Sequence, residues 1–467
     1  MEIRKIAVIG AGLMGSGIAA HIANAGCDVV LLDIVPKQSK KRSQLAIDAV
    51  NRMIKEQPAP FMHKTNAKNI TCGNLEDDLN LISDADWIIE AVIEKCDVKQ
   101  GIYKLLNDVR KKGSIVSSNT STILLSDLVK NMDNTFRKDF LITHFFNPPR
   151  YMRLLEVVAG NNTRSEAVEL ITTFADIKLG KGIVYCNDTP GFIANRIGTF
   201  WIQAALMEAL ASDISVEDAD SAIGPVLGIP KTGIFGLMDL VGIDLMPLVS
   251  KSLYNNVPED DLYRELYEEP TLIKTMIEEG FIGRKGKGGF YKLNKDSGTP
   301  VKEVIDLSSG KYSTALRLTP NSVKVAGKSP RKLFEHGDKT SNFAWRVMSQ
   351  TLLYAADLIP EIADTIIAID DAMKLGYACI NMTLQQAGGI TTNRGMRQKT
   401  FNERGLDYVS ELALQNVKDL ETIVKWNEEM GIKLFRMSSD IFPWVTYYTL
   451  QSLPDYEEIR SILENIG

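Results

Sequence analysis

Lys5-Ile-Ala-Val-Ile-Gly10-Ala-Gly12-Leu-Met-Gly15 stands at the start of the chain, and Asp33 closes the apolar run Val29-Val-Leu-Leu32 that follows it. Strand, glycine turn, helix and second strand in this order form a nicotinamide-dinucleotide fingerprint. Each residue has a physical task. Gly10 permits the sharp turn out of the strand, Gly12 lets backbone amides approach a pyrophosphate, and Gly15 lets the helix pack on the strand. The unpaired N–H groups and the dipole of a helix N-terminus favour the negative charge placed there. Asp33 can accept hydrogen bonds from both ribose hydroxyls and would repel a 2′-phosphate, so the expected cofactor is NAD rather than NADP.

Working outward, 467 residues predict two to four domains. A composition of 45% hydrophobic and 24% charged residues is that of a globular protein, and a net charge of -6 argues against non-specific nucleic-acid binding over the whole surface. Cys27, Cys72, Cys96, Cys186 and Cys379 are scattered without CxxC spacing, which suits a reducing, cytoplasmic setting with no disulfide framework or zinc site. The first strand begins almost at Met1, leaving no room for a signal peptide. The most apolar helical stretch, Phe192 to Ala211, is interrupted by Asn195, Arg196, Gln203 and Glu208, so no membrane span is expected.

Residues 1–187 read as a doubly wound α/β domain, with apolar strands at 6–9, 29–32, 87–91, 115–117, 141–143 and 183–185. The basic stretch from Lys37 to Lys68 reads as a helical excursion, either a solvated hairpin or a surface for an acidic substrate handle. Asp188-Thr-Pro-Gly191 breaks the pattern, and an all-helical domain is expected over 188–295. It ends in the glycine-rich basic loop Gly283-Arg-Lys-Gly-Lys-Gly-Gly289-Phe-Tyr291. Residues 292 to about 340 read as an irregular linker.

Three further clusters carry chemistry. Ser118-Asn-Thr-Ser121 follows the strand at 115–117, His144-Phe-Phe-Asn-Pro148 follows the strand at 141–143, and Glu156 lies twelve residues beyond His144. All are placed at or beyond the carboxyl ends of parallel strands, where such sheets bind ligands. A hydride leaves an alcohol carbon as the hydroxyl proton is removed, and an imidazole titrating near neutrality suits that task. Glu156 would hold the ring's tautomer and stabilise the imidazolium. His21, His63 and His336 read as structural or exposed.

The motifs GAGLMGSGIA, EAVIEKCDVK, SSNTSTI, HFFNPP, RLLEVV, NDTPGFIANRI, LMDLVGID and GRKGKGGFY resemble those of the L-3-hydroxyacyl-CoA dehydrogenases of fatty-acid β-oxidation, over residues 1 to about 372. The resemblance implies a Rossmann-type domain followed by a helical one, NAD as cofactor and an acyl-CoA substrate bound between the domains. It implies His144 as catalytic base with Glu156 as its partner, Ser121 and Asn195 as donors to substrate oxygens, and Glu94 and Lys99 as further NAD contacts. It also implies a homodimer through residues 190–290, with no membrane or nucleic-acid partner for this part. A protein that kept the fold and NAD site without catalysis is a competing reading, against which the intact His144, Glu156, Ser121 and Asn195 count.

Residues 341–372 resemble the start of a second copy of the helical domain, so 296–372 reads as linker and truncated copy. From Met373 the chain resembles instead the opening of an ultraviolet-damage endonuclease, a metal-dependent TIM-barrel DNA-repair enzyme. That resemblance places a strand at 375–381, a helix at 408–430, a strand at 432–438 and a helix at 455–466, with Tyr377 and Asn381 near the DNA site. A partial βα fragment over 373–467 is expected. No histidine follows His336, so the metal cluster of that family is incomplete and no repair activity is expected from this alternative function. Met373-Lys-Leu-Gly-Tyr377 fits both families, and the chain reads as a chimera of two reading frames joined there.

Overall fold

The computed structural model describes residues 3–37, 41–295, 299–316 and 318–377. They form two units, one running to Ile193 and including Glu361–Asp364, the other Ala194–Pro360 with the described residues from Thr365 to Tyr377.

The first unit is built on one eight-stranded sheet: β1 (Lys5–Ile9), β2 (Asp28–Asp33), β3 (Ile70–Asn74), β4 (Trp87–Glu90), β5 (Ile115–Ser118), β6 (Phe140–Phe145), β7 (Leu154–Ala159) and β8 (Gly182–Tyr185). The order is β3-β2-β1-β4-β5-β6-β7-β8. Strands β1 to β6 are mutually parallel, β7 runs antiparallel to β6, and β8 is parallel to β7. Helices cover both faces, which is why the central strands are continuously apolar rather than alternating. Ile6, Val8, Leu31 and Ile89 are fully buried, each stabilising the unit by about 1.5–3 kcal/mol.

Two strands lie outside the sequence expectation. Strand β3, Ile-Thr-Cys-Gly-Asn, is an edge strand too polar to register as an apolar run, and β7 follows β6 after only a short loop. The excursion after β2 holds one helix, Gln44–Met53, and a 3-10 turn, Lys64–Asn69, rather than a hairpin. Pro58 and Pro60 lie between them and disfavour a second helix. Its Arg42 is bound to Glu76 and Asp77, so the basic surface is partly neutralised by the first unit itself.

The first unit extends to Ile193, six residues past the expected boundary at 187. The Asp188 carboxylate accepts the N–H groups of Leu125 at 2.6 Å and Ser126 at 2.9 Å, and the Ile193 N–H donates to Glu156 at 3.2 Å. The Asp188 contacts tie the turn to the short helix Leu125–Leu128, and the Ile193 contact ties it to β7.

The second unit packs around helix Ala194–Ser212, whose buried Ile197, Phe200, Trp201, Ala204 and Ala205 recur at helical spacing. Tyr354 of helix Lys339–Asp357 stacks on Phe200 with centroids 4.0 Å apart. Tyr377 of helix Ile366–Tyr377 meets Trp201 edge-on at 6.0 Å. The expected strand at 375–381 is therefore corrected at its start: Leu375, Gly376 and Tyr377 close a helix. Its buried Ile369, Ala372, Met373 and Gly376 keep the spacing of one helical face. Asn381 and the further elements read from 408 to 466 lie outside the described residues.

The expected linker is also corrected. Strands β9 (Tyr291–Asn294), β10 (Val301–Ile305) and β11 (Tyr312–Thr314) form an antiparallel sheet in the order β11-β10-β9, so this unit is not all-helical. Val304, Ile305 and Leu307 enter the core, while Lys302 lies over the Tyr291 ring at 3.7 Å and Lys292 over Tyr312 at 3.9 Å. Polar residues covering aromatic faces made this sheet look like linker in the sequence.

Candidate active site

The glycine turn has a backbone geometry that side chains at Gly10 and Gly15 would disrupt. Gly10 has φ +102°, and a Cβ on it would stand 2.6 Å from the Ala91 carbonyl oxygen. A Cβ on Gly15 would fall 1.9 Å from the Gly10 carbonyl oxygen, so helix Leu13–Asn24 can approach β1 only without one. At Gly12, the helix N-cap, a Cβ would meet nothing within 4 Å, and no side chain caps the first turn. Open space in front of uncapped N–H groups fits a dinucleotide pyrophosphate. Asp33 ends β2 with its Oδ2 accepting from Ala11 N–H and its Oδ1 from Ile34 N–H, each at 2.6 Å. A carboxylate has about four acceptor positions, so capacity for ribose hydroxyls remains.

Glu90, which sequence reasoning missed, organises the neighbouring strand ends. This fully buried carboxylate ends β4 and accepts from Val92 N–H at 2.8 Å and from Lys99 Nζ, Tyr103 Oη and Ser118 Oγ at 2.7 Å each. Its signal is an acid closing the apolar run Trp87-Ile-Ile. Lys99 is buried between Glu90 and Glu94, 3.2 Å from the latter, so its ammonium is engaged by carboxylates. Glu94 in turn accepts from the N–H groups of Ser121 at 2.9 Å and Thr122 at 3.2 Å. Burial would raise the Glu94 pKa, but the Lys99 charge and the bonds from Thr120 and Ser121 outweigh it and hold the group below its usual value. Glu94 and Lys99 thus set the shape of the loop that carries Ser121. Asn119 on the same loop accepts the Phe145 N–H at 2.9 Å, tying it to the strand that carries His144.

His144 and Glu156 are direct cross-strand partners in the antiparallel pair of β6 and β7. Directly opposed residues project to the same face of a sheet. His144 Nδ1 lies 2.7 Å from Glu156 Oε2, and both side chains are buried. Glu156 is therefore near the start of an antiparallel strand and not beyond the carboxyl end of a parallel one. Reversal of the strand brings it to the same sheet edge. With Nδ1 donating to the carboxylate, Nε2 is the ring atom able to accept a proton. The imidazole is flanked by Phe146 at 4.4 Å and Phe192 at 5.7 Å between centroids. Phe192 has φ +50°, a conformation that costs a bulky residue about 1–2 kcal/mol. The turn that begins at Asp188 thus holds a strained residue beside the histidine.

Asn195 belongs to the second unit, as the second residue of helix Ala194–Ser212, whereas His144, Glu156, Ser121, Glu94, Lys99, Asp33 and the three glycines belong to the first. Its neighbour Arg196 is fully buried, donates to Tyr354 Oη at 2.6 Å and pairs with Asp261. Among the described residues no helix is long and apolar enough to cross a membrane.

Three family models match the chain: the 3-hydroxyacyl-CoA dehydrogenase NAD binding domain over 5–189, the 3-hydroxyacyl-CoA dehydrogenase C-terminal domain over 191–293, and UV-endonuclease UvdE over 373–467. A Rickettsia prowazekii protein described as a fatty acid oxidation complex trifunctional enzyme is 40% identical over 377 residues, covering 81% of this chain and 52% of that protein. The chain thus spans about half the length of the first such relatives. The mitochondrial hydroxyacyl-coenzyme A dehydrogenase of Sus scrofa is 33% identical, covering 62% of this chain and 91% of that one. In fold, the chain is similar to a 3-hydroxybutyryl-CoA dehydrogenase of Escherichia coli, with a TM-score of 0.64 at 23% identity over 94% of this chain and 98% of that one.

Proposed function

This chain belongs to the 3-hydroxyacyl-CoA dehydrogenase family, and we propose that it oxidises an L-3-hydroxyacyl-CoA to the 3-oxoacyl-CoA with NAD, a step of fatty-acid β-oxidation. The observation that carries this reading is the buried His144–Glu156 pair, 2.7 Å apart on a sheet that also bears the glycine turn and Asp33. The turn Gly10–Gly15 would hold the pyrophosphate and Asp33 a ribose, with Glu94 and Lys99 shaping the loop beyond. When bound, NAD supplies the hydride acceptor. His144 Nε2 takes the hydroxyl proton as the hydride leaves C3, and Glu156 stabilises the imidazolium that results. Ser121 and Asn195 would donate to substrate oxygens.

The experiment is NADH oxidation by the purified chain with acetoacetyl-CoA, beside His144→Gln. Loss of a general base lowers turnover by about 10²–10⁴-fold, and that loss is the expected result. Equal turnover in both proteins would exclude the assignment of the base. The reading includes a cytoplasmic location and a homodimer through residues 190–290. Leu240 and Leu248, 55% and 66% exposed on the second unit, supply apolar surface in that range. Sedimentation at a single monomer mass would remove the dimer from the reading.

A further inference from the structure

Lys181 is a buried cation that the chemistry above does not use. Gly180, at φ +65°, closes helix Ser165–Leu179, and the Lys181 N–H donates to the Ala175 carbonyl at 3.0 Å, which anchors the backbone. The residue is only 2% exposed. Its Nζ donates to the carbonyl oxygens of Pro149 and Met152, at 2.7 Å for Met152, and stands 5.3 Å from the Phe145 ring centroid. Among the described residues it has no carboxylate partner. Burial without one pushes its pKa down to about 8. Two carbonyls and a ring face offset part of that cost.

Both carbonyls belong to the loop between β6 and β7, the strands that carry His144 and Glu156. Tyr151 and Met152 each donate an N–H to the Pro148 carbonyl at 3.0 Å, forming a single turn. The loop also abuts the glycine-turn helix, where a Cβ on Gly17 would stand 3.0 Å from Pro149 Cδ. His21 on that helix is the neutral titratable group near the ammonium, its pKa lowered by burial first and by the Lys181 and Arg150 charges after it. We infer that Lys181 is a positioning residue for the His144–Glu156 pair, holding the connecting loop in the register that opposes the two side chains. This rests on the dehydrogenase reading above. Without the ammonium, two buried carbonyls lose their donor and the loop is free to shift, and a misplacement of about 1 Å costs a catalytic pair about a hundredfold.

Lys181→Met removes the donors at similar length and is expected to lower kcat with acetoacetyl-CoA by about tenfold to a hundredfold. NADH affinity, read by fluorescence titration, is expected to change by less than about twofold. The informative comparison is the same substitution in a His144→Gln background. A residue that acts through His144 causes no further loss there, whereas a generally structural one lowers both backgrounds by the same factor. Equal factors, or no loss in the native background, overturn the assignment. Lys181→Arg, which keeps charge and donors, should recover part of the rate, and Lys181→Gln replaces the Met variant if that does not fold. A chain inactive toward acetoacetyl-CoA would count against the dehydrogenase reading alone. The positioning role is then read from the NMR chemical shifts of the His144 ring, which Lys181→Gln is expected to move, and unmoved shifts overturn it.

Discussion

The two units bury carboxylates in opposite ways. In the first, Glu90 faces Lys99, Glu156 faces His144, and Asp139 faces Arg110 at 2.9 Å and Arg164 at 2.7 Å. In the second, Asp220 accepts the N–H groups of Phe235 and Gly236 and the Tyr291 hydroxyl, and Asp239 accepts the N–H groups of Phe290 and Tyr291, neither with an ion-pair partner among the described residues. Burial pushes Asp220 up to about 7 and Asp239 up to about 6, against the backbone donors that oppose the shift. Arg196 with Asp261 is the exception in the second unit. The difference separates two uses of a buried carboxylate. Facing a basic side chain it shapes loops at the candidate active edge; bonded to backbone N–H groups it ties helix ends to the small sheet.

The strongest way to break this comparison is Lys99→Met. Removing one partner of a buried pair leaves an uncompensated charge, and a loss of about 3–5 kcal/mol is expected in the first unit. Hydrogen exchange of β4 amides should report it, while amides of helix Val216–Ala222 in the second unit stay protected. Adding Glu90→Gln should recover part of the loss, because the orphaned charge is then gone. A change of less than about 1 kcal/mol in the first unit would mean that the pair is not what shapes it.

A smaller effect sharpens the comparison through pH. His21 is neutral in the folded first unit, its pKa lowered from 6.5 to about 3 by burial and then by the Lys181 charge. As pH falls from 6.5 toward 3, the unfolded chain binds a proton that the folded unit refuses, so this unit loses stability on acidification. Asp220 and Asp239 are raised from 3.8 to about 7 and about 6, so as pH rises from 4 the unfolded chain releases protons that the folded unit keeps. The second unit therefore loses stability as pH rises. Calorimetry between pH 4 and 6.5 should show two transitions moving in opposite directions, by at most about 1.4 kcal/mol per pH unit for each titrating group. Asp220→Asn should flatten the second. Parallel movement of both transitions would show that these groups do not control the units.

Much of the site was readable residue by residue. The glycine turn, Asp33 and His144 announce themselves because each obeys a local rule: a backbone conformation, a strand end, a titrating ring. Glu90 was missed because its four donors come from a turn, a helix and another strand, and nothing beside it in the chain mentions them. Lys181 escaped notice for the same reason, since its partners lie 29 and 32 residues away. Strand β3 and the sheet of β9 to β11 failed a test of hydrophobic runs, being edge or surface strands whose pairing supplies what their side chains do not.

By itself the sequence determined the glycine turn, the parallel core of the first unit and the choice of His144 and Glu156 as candidate site residues. These depend on short-range backbone geometry and on apolar runs, which a few adjacent residues specify. Only the tertiary structure decided that β7 reverses and sets Glu156 directly opposite His144, that Lys99 is sealed between two carboxylates, and that Tyr377 ends a helix against Trp201. Each of those outcomes is a pairing across distant positions. Its free energy exists only once both partners have been brought out of water and into register.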